Sequence, residues 1–162
     1  MDRIEELAHA FGRFPGIGPR QAKRFVFYLL SAAEAERERL AKLITELHTD
    51  VRQCRDCYRF WTPPPRQTSD ICTYCSDQSR DSALLLVVEK DQDLASVERA
   101  GNYKGRYFVL GGVLTLTGKG TIREQELVRA VELGLKSDLK EIVLALSATS
   151  EGEHTTDRKS VV

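Results

Sequence analysis

The sequence contains no long apolar run and has no net charge, and only 7% of its residues are aromatic. Its apolar runs, such as residues 83–88 and 142–146, are far shorter than the roughly 20 residues that a membrane-spanning helix needs. The first residues mix both charges and do not form the apolar stretch of a signal peptide. Apolar residues make up 41% of the 162 positions, which excludes a disordered chain. We therefore expect a cytoplasmic protein of one domain or two small ones, with no membrane partner.

The balance of 24 basic against 24 acidic residues conceals a local excess of positive charge. No acidic residue occurs between positions 6 and 34, and this window holds four basic residues: Arg13, Arg20, Lys23 and Arg24. Charges act over only about 8 Å at physiological salt, so the local sign matters more than the total. The window is a candidate site for a polyanion.

Three segments differ in pattern. Residues 1–53 carry apolar stripes at helical spacing, residues 54–77 hold all four cysteines and a Pro-Pro-Pro run, and residues 80–155 alternate strands with helices. In the third segment, strands are predicted at 83–88, 106–110 and 141–146, and helices at 92–100 and 123–133, the second ended by Gly134. The pattern predicts a mixed α+β chain of modules, whose third segment is an α/β domain with a parallel sheet.

The cysteines form two Cys-x-x-Cys pairs with 14 residues between them: Cys54, Cys57, Cys72 and Cys75. Two such turns that face each other complete a tetrahedron of sulfur, so the spacing favours one structural zinc ion per chain. The alternatives are two disulfides, a redox motif or iron. Disulfides fit a cytoplasmic protein poorly, and a redox motif does not normally occur twice.

A Phe-Pro-Gly-Ile-Gly-Pro-Arg segment joins the first two predicted helices. Gly16 and Gly18 allow positive φ, Ile17 is expected to point inward, and Pro19 suits the first helical position. Free backbone amides at that helix start, together with basic side chains, form a phosphate site. The segment resembles the helix-hairpin-helix motif, which binds DNA phosphates without reading bases, and this resemblance implies DNA contacts at Gly16, Ile17, Gly18, Arg20, Lys23 and Arg24. The alternative is an ordinary helix–helix turn with a solvated basic face.

Acidic residues follow two of the predicted strands. Glu89 ends the first strand, and Glu151 and Glu153 follow the third. If the two strands are adjacent and parallel, these carboxylates meet at one edge of the sheet. They are candidates for magnesium, or they are solvated loop residues. No nucleophile with a partner base is evident, so a catalytic role for magnesium is not expected.

The order of these motifs resembles the RecR family of bacterial recombination and repair proteins. The resemblance is carried by residues 14–25, the two cysteine pairs, residues 87–89, residues 105–112 and residues 146–155. It implies a helix-hairpin-helix domain at 1–53, a zinc finger at 54–77 and a Toprim domain at 80–155. It also implies a non-enzymatic, nucleoid-associated scaffold that binds single- and double-stranded DNA without sequence preference and forms a ring tetramer or a dimer.

By the same resemblance the protein acts with RecO and RecF to help load RecA onto gapped single-stranded DNA, and its acidic residues Glu89, Glu151 and Glu153 contact protein partners. Members of the family continue well past this acidic motif, whereas residues 156–162 show no helical stripe. We therefore expect an atypical tail at 156–162, a C-terminally truncated chain and a partial Toprim sheet, which puts ring closure in question. The alternatives are a magnesium-dependent Toprim nuclease or primase-like enzyme, and a zinc adaptor that binds only proteins.

Overall fold

The structure is a computed structural model and describes residues 2–117 and 120–159. The chain divides between Thr49 and Asp50 into two compact units, called here the helical unit and the sheet unit. Across the described ranges, every helix is too short or too polar to cross a membrane.

The helical unit contains α1 (Arg3–Phe11), α2 (Pro19–Ser31) and α3 (Glu34–Asp50). Asp2 caps α1 by accepting a hydrogen bond from the Glu5 amide at 2.8 Å. The core of the unit is small and lies between the first two helices, where Ala8, Ala22 and Val26 are buried. All three predicted helices are present, but α3 buries none of its own residues. Its apolar stripe therefore stays exposed within the unit.

The sheet unit begins with the cysteine segment. Strands β1 (Arg52–Gln53) and β2 (Phe60–Trp61) pair antiparallel, and the short helix α4 (Thr73–Ser76) follows the proline run. Trp61 is buried against the cysteines. The segment has little apolar surface of its own to bury, which is typical of a module that depends on a bound metal.

The rest of the sheet unit is an α/β layer structure. Its elements are β3 (Asp81–Val88), α5 (Asp91–Ala100), β4 (Gly105–Val109), α6 (Glu124–Leu135), β5 (Glu141–Ala145) and α7 (Ser150–Lys159). The three strands are parallel in the order β4-β3-β5. Successive residues of β3 face opposite sides, so Leu85 and Val87 belong to one core cluster and Leu86 and Val88 to the other. The predicted α+β class with a parallel sheet is confirmed.

Most predicted element bounds differ from the structure by one or two residues, and two of the differences have a physical cause. Helix α6 does not stop before Gly134 but ends at Leu135, since Gly134 lies inside the helix beneath the side chain of Leu139. The tail expected from residue 156 is helical as far as Lys159, because α7 runs across that boundary. Residues 160–162 of the predicted tail lie outside the described residues.

The reason for the second error is the polar character of α7. Its first turn is capped by Thr149, whose hydroxyl accepts a hydrogen bond from the Gly152 amide at 3.1 Å. Thr155 is fully buried, and its hydroxyl accepts a hydrogen bond from the Leu114 amide at 2.9 Å. Polar contacts rather than an apolar stripe hold this helix, so the hydrophobic pattern did not reveal it.

Candidate nucleic-acid interface and metal centre

The turn between α1 and α2 is a tight glycine hairpin. Gly16 has a φ of 78°, which a side chain would disfavour, whereas Gly18 is extended with a φ of −81°. Only the first of the two glycines therefore needs positive φ, contrary to the prediction for both. Ile17 packs against the buried cluster of Ala8, Ala22 and Val26, as predicted. Through this contact Ile17 anchors the hairpin to the core between the two helices.

The start of α2 is prepared for an anion. Gly18 is the N-cap residue and offers no side chain to the free amides of the first turn, and Pro19 occupies the first turn as predicted. The first turn also holds no acidic residue. These amides and the positive end of the helix dipole therefore remain available to a phosphate.

The predicted basic contacts surround this helix start. Arg20, Lys23 and Arg24 are all exposed, and Arg24 donates only a weak hydrogen bond to Gln21, at 3.4 Å. Within residues 2–117 and 120–159, neither Arg20 nor Lys23 has an ion pair or a side-chain hydrogen bond. The arrangement is suited to binding phosphates.

The four cysteines come together as a metal centre. The sulfur atoms of Cys54, Cys57, Cys72 and Cys75 all lie within 4.8 Å of one another, and the first three residues are buried. The sulfurs of Cys57 and Cys72 are 3.6 Å apart, too far for a disulfide and close to the roughly 3.8 Å edge of a tetrahedral zinc–thiolate site. All four cysteines are free, so the disulfide alternative does not hold in this structure. The residues present fit a tetrahedral metal ion.

Local contacts favour the thiolate form of Cys54. The Cys72 amide donates a hydrogen bond to the sulfur of Cys54 at 3.3 Å. The Cys57 thiol and, after it, the thiols of Cys72 and Cys75 donate hydrogen bonds that lower the pKa of Cys54. A thiolate is the form that binds metals. In the absence of a cation the four sulfurs share protons, since hydrogen bonding to the Cys54 sulfur raises the pKa of Cys57 and of Cys75.

The metal centre also supports the edge of the sheet. The Cys57 carbonyl accepts a hydrogen bond from the Val109 amide of the edge strand β4 at 2.8 Å. Arg80 packs against two rings, Tyr74 of α4 and Tyr107 of β4, and forms an ion pair with Glu98 at 2.7 Å. Folding of the cysteine segment is therefore coupled to that of the sheet, a connection that the sequence pattern did not reveal.

The acidic residues are only partly brought together. Strands β3 and β5 are parallel neighbours, as the prediction required. Glu89 is buried, however, and its carboxylate forms an ion pair with Lys90 at 2.8 Å. The Lys90 hydrogen bond, assisted by Ser147, lowers the pKa of Glu89. The carboxylate of Glu89 is thus already paired with a cation of the protein itself.

Glu151 and Glu153 lie exposed on the first turn of α7 rather than in a loop. In the part of the chain that the structure describes, the cysteines form the only group of three or more candidate metal ligands. Glu89, Glu151 and Glu153 form no such group. The structure therefore leaves the α7 acids on the surface, where a protein partner can reach them.

Comparison with known proteins agrees with this geometry. Residues 4–48 match the family described as RecR, helix-hairpin-helix, and residues 83–160 match the Toprim domain. Recombination protein RecR of Bifidobacterium adolescentis is 38% identical over 153 residues, which cover 94% of this chain and 74% of that protein. The protein of the same name from Bdellovibrio bacteriovorus is 36% identical over 161 residues, covering 96% of this chain and 76% of that protein.

The two matched modules and the cysteine cluster between them define a helix-hairpin-helix and Toprim protein. The sequence similarity to these relatives extends over nearly the whole chain and about three quarters of the relatives' length. The chain belongs to the RecR family of recombination proteins, and this membership gives it a role in recombinational repair.

Proposed function

We propose that the protein is a non-enzymatic scaffold that binds single- and double-stranded DNA through the hairpin and the start of α2. The observation that carries the proposal is the group of cations around an uncapped helix start, in which Arg20 and Lys23 have no partner among the described residues. Binding of this kind neutralises phosphates and is independent of sequence. It weakens steeply as salt is raised.

A salt titration tests this proposal. Wild-type protein is expected to retain labelled single- and double-stranded oligonucleotides in dilute buffer, with log affinity falling linearly against log salt. Arg20→Glu/Arg24→Glu should lose at least about 100-fold in affinity, because attraction becomes repulsion at the helix start. Arg39→Glu, an exposed charge reversal on α3, serves as the matched control and should bind like wild type. Equal binding by all three proteins would contradict the proposal and favour an adaptor that touches only proteins.

The non-enzymatic part of the proposal is supported by the pairing of Glu89 with Lys90 and by the finding that, among the described residues, the α7 acids belong to no group of three or more candidate metal ligands. Incubation of labelled DNA or nucleotides with magnesium tests it. We expect no turnover. Cleavage or primer synthesis that Glu89→Gln abolishes would instead identify a Toprim enzyme.

We propose that the metal at the cysteine centre is zinc and that it is structural. Four sulfur ligands leave no open coordination position, and soft thiolates select zinc among the abundant divalent ions.

The RecR resemblance further supports action with RecO and RecF in loading RecA onto gapped single-stranded DNA. The exposed residues Glu151 and Glu153 are the proposed partner contacts.

We also propose that the chain self-associates through the helical unit. An apolar groove of about 350 Å³ lies between its helices and is lined by Ile4, Leu7, Val26, Leu29, Leu40 and Ile44. The row continues along α3 to Leu47, which is 61% exposed. An apolar stripe at helical spacing that buries nothing in its own unit is suited to pack against the same helix of a second copy.

A further inference from the structure

A second basic feature lies beside the hairpin, between the end of α1 and the start of α2. It is an open cleft of about 440 Å³. Small residues such as Ala8 and Gly12 form its floor, and His9, Arg13 and Lys23 stand on its rim. The sequence analysis placed Arg13 in the basic window but not among the predicted DNA contacts, and it did not indicate His9, which lies on α1.

The rim side chains are exposed and available. Within the described ranges, His9, Arg13 and Lys23 have no ion pair and no side-chain hydrogen bond. The cleft also holds one acidic residue, Glu5, which forms no ion pair among the same residues. Two permanent cations and an imidazole therefore outnumber a single carboxylate, and the cleft has a net positive field.

The position of Lys23 connects the cleft to the hairpin site. At about 100° per residue, Lys23 lies roughly 60° from Arg20 around the axis of α2, on the side opposite Arg24. Arg20 thus stands between the cleft and Arg24. A sugar–phosphate chain that crosses Arg20 has one phosphate toward Arg24 and the next toward the cleft.

We propose that the cleft binds a second phosphate of the same DNA strand, with Arg13 and Lys23 supplying the charge and His9 donating a hydrogen bond from its ring. This inference rests on the proposed DNA binding and extends it to two residues on the α1 side. The shallow floor of Ala8 and Gly12 lets the strand backbone approach closely. Because the groups that line the cleft meet only the backbone, the contact adds affinity and salt dependence without base preference.

The experiment compares full-length wild type, Arg13→Ala, His9→Ala and the control Arg39→Ala in binding an oligothymidylate at several salt concentrations. Arg13→Ala should lower the slope of log affinity against log salt by about 0.7, the value for one phosphate contact on a single strand. His9→Ala should weaken binding about two- to tenfold, as expected for one lost hydrogen bond. Arg39→Ala should match wild type, and circular dichroism should show unchanged helicity in every variant.

The outcomes separate this inference from the proposed function. If wild type binds and Arg20→Glu/Arg24→Glu does not, but Arg13→Ala and His9→Ala behave like Arg39→Ala, the cleft inference alone is wrong. If wild type itself does not bind DNA, the proposed function fails first.

Nuclear magnetic resonance gives a local readout, since the ring signals of His9 should move on addition of the oligonucleotide. Equal movement with inorganic phosphate at the same ionic strength would assign the cleft to free phosphate instead.

Discussion

At the scale of single residues, the neighbours of each charged side chain decide what it can bind. Lys90 lies on the surface but forms an ion pair with Glu89 at 2.8 Å, so its charge is already matched by a neighbouring carboxylate. Arg20 and Lys23 have no such partner in the described part of the chain and remain available to phosphates. The family's acidic position is thus neutralised in this chain, while the charge around the hairpin is left open. This contrast is the residue-scale basis of the proposed non-enzymatic binding of DNA.

One residue-scale prediction concerns the metal. Cys72→Ser should lower the affinity for zinc by more than about 100-fold, because loss of a ligand costs more than loss of an outer contact. Zinc content measured by mass spectrometry should fall well below one ion per chain, and the thermal transition should move to lower temperature. Thr73→Ser, an exposed change on the same helix, is the control and should keep both values. Full zinc content and an unchanged melting curve for Cys72→Ser would show that the centre is not the predicted one.

At the scale of elements, hydrophobic periodicity predicted the helices and strands that bury an apolar face. Helix α5 lies where it was expected and ends at Gly101, which has a φ of 72°. Helix α7 was missed because Thr149 and Thr155 hold it through hydrogen bonds. The cysteine spacing predicted the metal centre for a geometric reason, since two short turns bring four sulfurs together. The spacing of residues in the sequence does not predict the pairing of Glu89 with Lys90, because this pairing depends on the rotamers of the two side chains.

An element-scale prediction concerns the connection among α4, β4 and α5. Glu98 accepts hydrogen bonds from Arg80 at 2.7 Å and from the Tyr107 hydroxyl at 2.5 Å. Burial opposes ionisation of this carboxyl, but the bonds from Tyr107 and Arg80 outweigh it and lower the pKa of Glu98. Glu98→Gln should destabilise the sheet unit by about 3 kcal/mol at neutral pH, because Arg80 is left partly buried without its partner.

The pH dependence of this effect follows from the direction of the shift. A carboxyl whose pKa is lowered in the folded state contributes its full stability above the unfolded value of about 4.3, and loses it as pH falls through the folded value. The difference between wild type and Glu98→Gln in urea denaturation should therefore be largest near pH 7 and should shrink below about pH 4. Glu132→Gln, on the exposed face of α6, should show no such difference. If the difference in unfolding free energy between wild type and Glu98→Gln stays constant with pH, the charge of Glu98 is not what stabilises the fold.

At the scale of the whole molecule, the two units carry different candidate sites. The helical unit carries the proposed phosphate contacts and the exposed apolar stripe, and the sheet unit carries the four-cysteine centre and the acidic surface of α7. Self-association would place several hairpins on one assembly. Linked weak sites then hold a polymer far more tightly than one site does, without any new contact. A scaffold that binds DNA without reading its sequence depends on this gain.

The whole-molecule prediction tests that assembly. Ile44 is 64% exposed on α3, so Ile44→Glu should leave the helical unit folded. It should reduce the mass measured by light scattering from a multiple of 18.3 kDa to that of one chain, since a carboxylate cannot be buried in an apolar interface. Thr45→Glu places the same charge off the apolar stripe of α3 and should remain associated. DNA affinity should fall with the loss of assembly in Ile44→Glu and stay unchanged in Thr45→Glu. A wild-type chain that is a monomer at every concentration, or an Ile44→Glu variant that assembles normally, would show that this stripe is not the interface.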